Sequence, residues 1–171
     1  MIVIVFGLPG SGKSYFATNL ADMIKADYIN SDQVRRTMFG VRLYSVREKL
    51  SVYNEMLVQM HKAVKQHKNL VLDATFYTNA IRKKFLDAAE DIDNIIFIEV
   101  RAEESLIKER LKRPRKDSEA DFGVYKKIKK QWEPLCKDHL ILQSTDDDDN
   151  IAEMLQKTVA CLHLKNDKRT N

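Results

Sequence analysis

The sequence predicts an α/β fold of three layers, in which a five-stranded parallel sheet lies between helices on both of its faces. Three observations support this prediction. Short apolar runs alternate with amphipathic segments, the first runs are apolar throughout, and polar residues follow the first three runs. The 171 residues, 44% of them hydrophobic, suit one compact domain, which we place at residues 1–164, with a frayed tail at residues 165–171.

Five apolar runs are the predicted strands. The first, Ile2–Phe6, is β-branched and aromatic, which is typical of a strand buried on both faces of a parallel sheet. The second run covers residues 27–30, the third covers residues 69–72 and the fourth covers residues 95–100. Residues 139–142 form a weaker fifth run.

The first three predicted helices follow from their start and stop signals. One helix follows the glycine-rich turn after the first strand, and a brief one over residues 32–39 ends at Gly40. Ser45 and Glu48 predict a capping box at the start of a long third helix. Its apolar positions recur every three or four residues: Val46, Leu50, Tyr53, Leu57, Met60 and Val64.

Four further helices complete the prediction. Thr78 can cap the fourth, and Pro114 ends the fifth, which covers residues 103–113. The last helix, residues 151–162, follows an acidic run that suits the positive end of its dipole. The sixth carries Val124, Ile128, Trp132 and Leu135. We assign Tyr125, Ile128 and Trp132 to the core, with an adenine-binding surface as the alternative.

The turn after the first strand carries the clearest functional motif. Residues 7–14, GLPGSGKS, match the pattern GxxxxGK[ST] between a predicted strand and a predicted helix. Backbone N–H groups of such a loop converge on phosphate, Lys13 reaches the β and γ phosphates, and Ser14 ligates Mg²⁺. This context disfavours a plain glycine turn. We therefore predict ATP and Mg²⁺ as cofactors, with eight nucleotide-binding residues: Gly7, Pro9, Gly10, Ser11, Gly12, Lys13, Ser14 and Tyr15.

Polar residues at the ends of the second and third strands predict the acceptor site, because ligands of parallel sheets bind beyond the carboxyl ends of the strands. Asp32 is the predicted base for an acceptor hydroxyl, with a helix cap as the alternative. Arg35 and Arg36 could bind the acceptor or its phosphate. Asp73 is predicted to organise the site or to ligate the metal, with capping of the next turn as the alternative, and Thr75 joins the substrate-binding set.

Positive charge is concentrated in one segment. The net charge is only +4, but residues 108–130 carry ten basic and four acidic side chains, so this segment is +6 and the remainder is −2. We predict a lid here, at about residues 108–130, with Arg110 and Arg113 contacting the ATP phosphates. The alternative is a solvated helix face. We also predict an exposed face for residues 82–84, RKK, with nucleic-acid contact as the minority alternative.

Several classes of protein are disfavoured by composition. No apolar stretch approaches the roughly 18 residues that span a bilayer, and the first residues lack the features of a secretion signal. Two cysteines without a CxxC pair argue against a disulfide framework or a zinc site. We therefore expect a cytoplasmic protein without a membrane partner, and no oligomeric state is predicted.

Five segments together resemble a known family: GLPGSGKS, INSDQVRR, LVLDATF, ERLKRPR and VYKKIKKQWEP. They are similar to the P-loop kinases related to polynucleotide 5′-hydroxyl kinase and the zeta toxins, over residues 2–151. The resemblance implies a five-stranded P-loop kinase fold with a mobile helical lid. It also implies that Asp32 is the general base, that Arg35 contacts an acceptor-side phosphate, that Asp73 organises the site, and that Arg110 and Arg113 embrace the ATP phosphates.

The predicted function is ATP-dependent transfer of the γ-phosphoryl group to a hydroxyl. The resemblance and Arg35 favour a nucleic-acid or nucleotide 5′-hydroxyl as the acceptor. The alternative is a kinase of a sugar, nucleoside or other small metabolite, because a bare kinase module offers little surface for a long strand. A nucleotide-binding regulator without catalysis is a third hypothesis, which Asp32 beside an intact phosphate loop disfavours.

Overall fold

The computed structural model describes residues 1–89, 95–113 and 120–167 and contains the predicted parallel sheet between two layers of helices. The strands are β1 (Ile2–Phe6), β2 (Asp27–Asn30), β3 (Leu70–Ala74), β4 (Ile95–Arg101) and β5 (Leu140–Gln143). The helices are α1 (Lys13–Met23), α2 (Ser31–Met38), α3 (Val46–Lys65), α4 (Asn79–Asp87), α5 (Glu104–Lys112), α6 (Phe122–Lys130) and α7 (Asp148–Asp167).

Strand β1 lies at the centre of the sheet, whose order is β2-β3-β1-β4-β5 with every pair parallel. All five residues of β1 are buried, as its continuous apolar run predicts, whereas the edge strands β2 and β5 are only partly buried. In this order the carboxyl ends of β2, β3 and β1 lie side by side. The loops that carry the predicted site therefore begin at one edge of the sheet.

Two apolar cores confirm that helices cover both faces of the sheet. One core packs Met56 of α3 and Phe85 of α4 against β1 and β3. The other packs Leu20 of α1 and Met154 of α7 against the opposite face. No helix in the described residues has both the length and the apolar character needed to cross a membrane.

The predicted apolar face of α3 is partly wrong. Val46 is 75% exposed and Leu50 is 41% exposed, although both belong to the predicted periodic set. The residues that α3 buries against the sheet instead include Val52 and Met56 as well as the predicted Tyr53 and Met60. Both rows satisfy helical spacing, and the angle at which α3 crosses the sheet decides between them.

Helix α6 ends earlier than predicted. It stops at Lys130, so Trp132 and Leu135 follow the helix instead of extending it. Trp132 nevertheless belongs to the core, because its ring stacks on Phe6 with 6.0 Å between centroids.

The predicted exposure of residues 82–84 is wrong for Arg82. This side chain is fully buried on α4, where it donates to Asn79 Oδ1 at 2.8 Å and to the carbonyl oxygen of Glu133. Its guanidinium also lies over the rings of Phe6 and Trp132. Arg82 is therefore part of the packing under α4.

The remaining differences concern the ends of elements. Helix α7 continues to Asp167, so the first three residues of the predicted tail are helical, and residues 168–171 lie outside the described part of the chain. Pro114 and the charged loop after it, residues 114–119, also lie outside it. The predicted cap at Thr78 is confirmed, since its Oγ1 accepts from the Ile81 N–H at 3.3 Å.

Candidate active site

The phosphate-binding loop connects β1 to α1, and two of its glycines are required by close approaches. A β-carbon on Gly7 would overlap the carbonyl oxygen of Val100 in the neighbouring strand. Gly12 has a φ of +92° and would place a β-carbon 2.8 Å from Ser144 Oγ and 3.2 Å from Arg110 Nη1. The loop is thus fitted tightly against β4 and α5, and its backbone leads directly into the amino end of α1 at Lys13.

A cavity of about 370 Å³ opens beside this loop, and we name it the P-loop cavity. Six predicted nucleotide-binding or lid residues line it: Gly10, Gly12, Lys13, Ser14, Tyr15 and Arg110. Arg113 lines it as well, with an exposed side chain. The loop after β5 supplies three residues that the sequence patterns missed, namely Ser144, Thr145 and Asp146.

Arg110 is positioned against the phosphate-binding loop by the segment that follows β5. Its guanidinium donates to the carbonyl oxygen of Thr145 at 2.6 Å and to Ser144 Oγ at 3.1 Å, and it forms an ion pair with Asp146 at 3.3 Å. Nη1 lies 3.5 Å from the carbonyl oxygen of Gly10. These contacts place a positive charge beside the loop where it faces the cavity.

A second cavity, of about 290 Å³, lies on the other side of Lys13, and we name it the Asp32 cavity. It is lined by four predicted site residues besides Lys13: Pro9, Asp32, Arg35 and Thr75. Residues of α3 and α6 that carried no functional prediction also line it, including Lys49, Tyr53 and Lys127. Lys13 is common to the linings of both cavities.

Asp32 is placed by a chain of contacts that starts at β3. Asp73 Oδ2 accepts from Asn30 Nδ2 at 2.5 Å and from the Tyr28 hydroxyl at 2.8 Å. Asn30 Oδ1 in turn accepts from the backbone N–H groups of Asp32 and Gln33, at 2.9 and 3.1 Å. Asn30 is therefore the cap of α2, and the interpretation of Asp32 as that cap is wrong.

Arg35 lies between two carboxylates. Its Nη1 donates to Asp32 Oδ1 at 2.8 Å, and its Nε lies 2.9 Å from Glu48 Oε1. The latter is a charge contact without the alignment of a hydrogen bond. The other Glu48 oxygen accepts from the N–H groups of Leu43 and Tyr44, at 2.8 and 2.9 Å. Only half of the predicted capping box forms, because Ser45 accepts from the Glu48 N–H but Glu48 bonds to residues before Ser45.

Thr75 is held at the end of β3 by a tyrosine from α3. The Tyr53 hydroxyl lies 3.3 Å from Thr75 Oγ1 and accepts from the N–H of Phe76 at 3.1 Å. Burial raises the pKa of Tyr53, so this hydroxyl stays protonated. The helical periodicity of α3 identified Tyr53 as a core residue, and nothing in that pattern indicated its contact with the site.

The residues predicted to hold Mg²⁺ fit a hard cation. Ser14 lines the P-loop cavity, and Asp73 Oδ1 is buried without a partner among the described residues. A buried carboxylate oxygen of this kind suits a cation or its bound water, and magnesium needs few protein ligands when phosphates supply the others. Among the described residues, no group of three or more His, Cys, Asp or Glu side chains is arranged to hold a metal ion.

Some predicted residues do not line either cavity. Gly7 lies behind the loop against Val100, and Ser11 is buried beneath it. Asp73 is fully buried and acts on the site through Asn30. Arg36 is exposed on the outer side of α2. Its neighbour Arg35 faces inward because the two positions are about 100° apart on the helix.

Comparison with solved structures shows the same fold in several nucleotide-dependent enzymes and related proteins. A gluconokinase from Sinorhizobium meliloti 1021 aligns with a TM-score of 0.69 at 17% identity, covering 98% of this chain and 95% of its own. The Mycobacterium tuberculosis APS kinase CysC, in complex with AMPPNP and APS, aligns at 0.70 and 16%, covering 95% and 96%. Chaetomium thermophilum Kti12, in complex with ADP-AlF3, aligns at 0.65 and 19%, covering 95% and 99%.

Sequence comparison is informative at the level of the family. None of the curated proteins matches the chain. Residues 2–135 match the family AAA_33, described as an AAA domain, and this range contains the phosphate-binding loop, Asp32 and Arg110. With its five-stranded parallel sheet and phosphate-binding loop, the chain has the same fold as the P-loop kinases with which it aligns, and it belongs to the AAA_33 family.

Proposed function

We propose that this protein is a kinase that transfers the γ-phosphoryl group of ATP to a hydroxyl of a small molecule. The observation that carries the proposal is the position of Lys13 between two cavities, one beside the phosphate-binding loop and one that contains Asp32. Phosphoryl transfer requires the donor and the acceptor to approach each other beside a positive charge, with a carboxylate on the acceptor side. This arrangement provides both conditions.

The P-loop cavity is the proposed ATP site. Backbone N–H groups of the loop and the amino end of α1 favour phosphate, and Lys13 and Arg110 add positive charge to the lining of the same cavity. Mg²⁺ bound at Ser14, with Asp73 behind it, would neutralise the phosphate oxygens. Tyr15 and Arg113 line the same cavity and are proposed to contact the nucleotide.

Asp32 is the proposed proton acceptor. Its Oδ1 is occupied by Arg35, which leaves Oδ2 to accept the proton of an acceptor hydroxyl. The hydroxyl oxygen then forms a bond to the γ phosphorus, the bond from that phosphorus to the bridging oxygen breaks, and ADP leaves. The pair with Arg35 fixes the orientation of the carboxylate, and Arg35 is itself fixed by Glu48. We therefore assign Arg35 a positioning role.

The size and walls of the Asp32 cavity favour a small acceptor over a 5′-hydroxyl polynucleotide. The cavity measures about 290 Å³, and residues of both α3 and α6 are among those that line it. A nucleic-acid strand requires a groove that follows its backbone beyond the reacting nucleotide. The gluconokinase and APS kinase that share the fold are named for small acceptors, which agrees with this choice.

A transfer screen with γ-labelled ATP tests the proposal. Sugars, sugar acids, nucleosides and 5′-hydroxyl oligonucleotides are compared as acceptors, and Lys13→Ala is included to reveal contaminating kinases. We expect label in at least one small molecule, and we expect the label to disappear with Lys13→Ala. Transfer only to oligonucleotides would replace the small acceptor by a 5′-hydroxyl. ATP binding without any transfer would favour a nucleotide-binding regulator.

A further inference from the structure

The Asp32 cavity contains more positive charge than its carboxylates neutralise. Among the residues that the structure describes, four cationic side chains line it, namely Lys13, Arg35, Lys49 and Lys127, and Asp32 is the one acidic side chain of that lining. Arg35 is already paired with two carboxylates, Asp32 within the cavity and Glu48 behind it. Lys13 also faces the P-loop cavity. Within the described part of the lining, the charges of Lys49 and Lys127 therefore have no carboxylate left to balance them.

These two lysines come from different helices and meet at the same cavity. Lys49 extends from the first turns of α3 over the ring of Tyr77, with 5.4 Å from its ammonium nitrogen to the ring centroid. Lys127 extends from α6, which lines the same cavity through Val124, Lys127 and Ile128. Among the described residues, neither ammonium forms an ion pair. Lys129 of α6, by contrast, pairs with Glu104.

The electrostatic environment of Lys49 agrees with this geometry. Burial, and then the positive charges of Lys127 and Arg35, lower the pKa of Lys49 below its ordinary value. Three cations thus act on one another across the cavity. A bound anion would relieve this repulsion, whereas a neutral ligand would leave it in place.

We propose that Lys49 and Lys127 form a subsite for an anionic group, a phosphate or a carboxylate, carried by the hydroxyl-bearing acceptor. The acceptor would then be a small hydroxylated acid or phosphate ester, with its hydroxyl at Asp32 and its anionic group between α3 and α6. This inference rests on the proposed function, because that function defines the acceptor. The anion subsite itself is a binding property that is measured without catalysis.

With this subsite, the basic segment of residues 108–130 has a second role besides binding ATP. Arg110 and Arg113 of α5 line the P-loop cavity, whereas Lys127 of α6 lines the Asp32 cavity. The positive charge is therefore divided between the two ligands and does not serve ATP alone. A ligand that joins Lys127 to Lys49 would also connect α6 to α3.

Calorimetric titration with two simple probes tests the subsite. Inorganic phosphate and acetate are titrated into protein saturated with AMPPNP and Mg²⁺, so that the phosphate-binding loop is already filled. Lys49→Gln and Lys127→Gln each remove one positive charge from the cavity. Lys130→Gln removes one from the exposed face of α6 and is the matched control for net charge.

We expect at least one probe to bind the wild-type protein. We expect each cavity variant to weaken that binding about tenfold, as the loss of a charge-assisted hydrogen bond does, and Lys130→Gln to leave it unchanged. The probe that binds more tightly identifies phosphate or carboxylate as the preferred group. Absence of binding in the wild-type protein, or equal affinities in all three variants, would overturn the subsite. Circular dichroism confirms that each variant is folded.

The outcome is distinguishable from a failure of the proposed function. Lysine-dependent anion binding in a protein that transfers no label to any acceptor would retain the subsite and reject the kinase. Transfer to neutral sugars, with no preference for their acidic or phosphorylated counterparts, would retain the kinase and reject the subsite. Glucose, gluconate and glucose 6-phosphate form a matched series for this comparison.

Discussion

Replacing Asp32 with asparagine separates the chemistry of this carboxylate from its structural role. Asparagine has nearly the same shape, and its side-chain oxygen can still accept from Arg35 Nη1, which lies 2.8 Å from Asp32 Oδ1. What the variant loses is the negative charge and the ability to take a proton. A general base of this kind contributes about 100- to 10,000-fold to a rate, or roughly 2.7–5.4 kcal/mol in activation free energy.

The cost to stability is expected to be much smaller. The Asp32 side chain is 29% exposed, and Arg35 keeps its second carboxylate partner, Glu48, so no buried charge is left alone. We expect the free energy of unfolding to fall by about 1 kcal/mol, the usual contribution of a partly exposed charge-assisted hydrogen bond. The affinity for ATP should remain close to that of the wild-type protein, because Asp32 does not line the P-loop cavity.

The assay compares kcat, the KM for ATP and urea denaturation for Asp32→Asn and a control variant. Asp27→Asn is the control, since Asp27 lies at the opposite end of β2 and forms an exposed ion pair with Lys68. A kcat within twofold of wild type for Asp32→Asn would refute the assignment of the base. Equal losses of kcat in both variants would indicate a general effect of the substitution on the fold.

Three further predictions follow from the geometry of the site and its surroundings. Gly7→Ala should lower the free energy of unfolding by about 1–3 kcal/mol, because the new methyl group overlaps the carbonyl oxygen of Val100. Urea denaturation measures this change, and an unchanged midpoint would contradict the packing. Arg110→Ala should raise the KM for ATP more than Arg113→Ala does, because Arg110 is held beside the phosphate-binding loop whereas Arg113 is exposed. Equal effects of the two substitutions would argue against this position of Arg110. Burial would raise the pKa of Glu99, but its hydrogen bonds with Arg101 and His139 lower that pKa overall. The stability that Glu99 contributes is therefore present above its ordinary pKa of 4.5 and is lost as the pH falls. Glu99→Gln should therefore flatten the acid side of a stability–pH profile, and a profile parallel to that of the wild-type protein would show that the ionisation of Glu99 does not matter.

The phosphate-binding loop and the position of Asp32 were largely predictable because their signals are local. The loop between β1 and α1 depends on glycines at fixed positions and on the helix that follows them, all within residues 7–14. Asp32 was predicted from its place after the second apolar run. The carboxyl ends of neighbouring parallel strands lie at one edge, so this residue had to lie near the loop.

The residues that complete the Asp32 cavity were not predictable in the same way. Lys49, Tyr53 and Lys127 lie on helices whose patterns show which residues are apolar but not which wall of a cavity they form. Arg82 shows the same difficulty, since a run of three basic residues normally marks an exposed face, yet its side chain is buried beside Trp132.

By itself, the sequence determined the alternation of strands and helices, the phosphate-binding loop and the acid at Asp32, because each depends on residues close together in the chain. Only the tertiary structure decided which cations line which cavity. It packs α5 beside the phosphate-binding loop and brings residues of α6 and α3 to one cavity, so that Arg110 lines the P-loop cavity and Lys127 lines the Asp32 cavity. The physical reason is that charges far apart in sequence act on one ligand only after packing brings their helices to the same cavity.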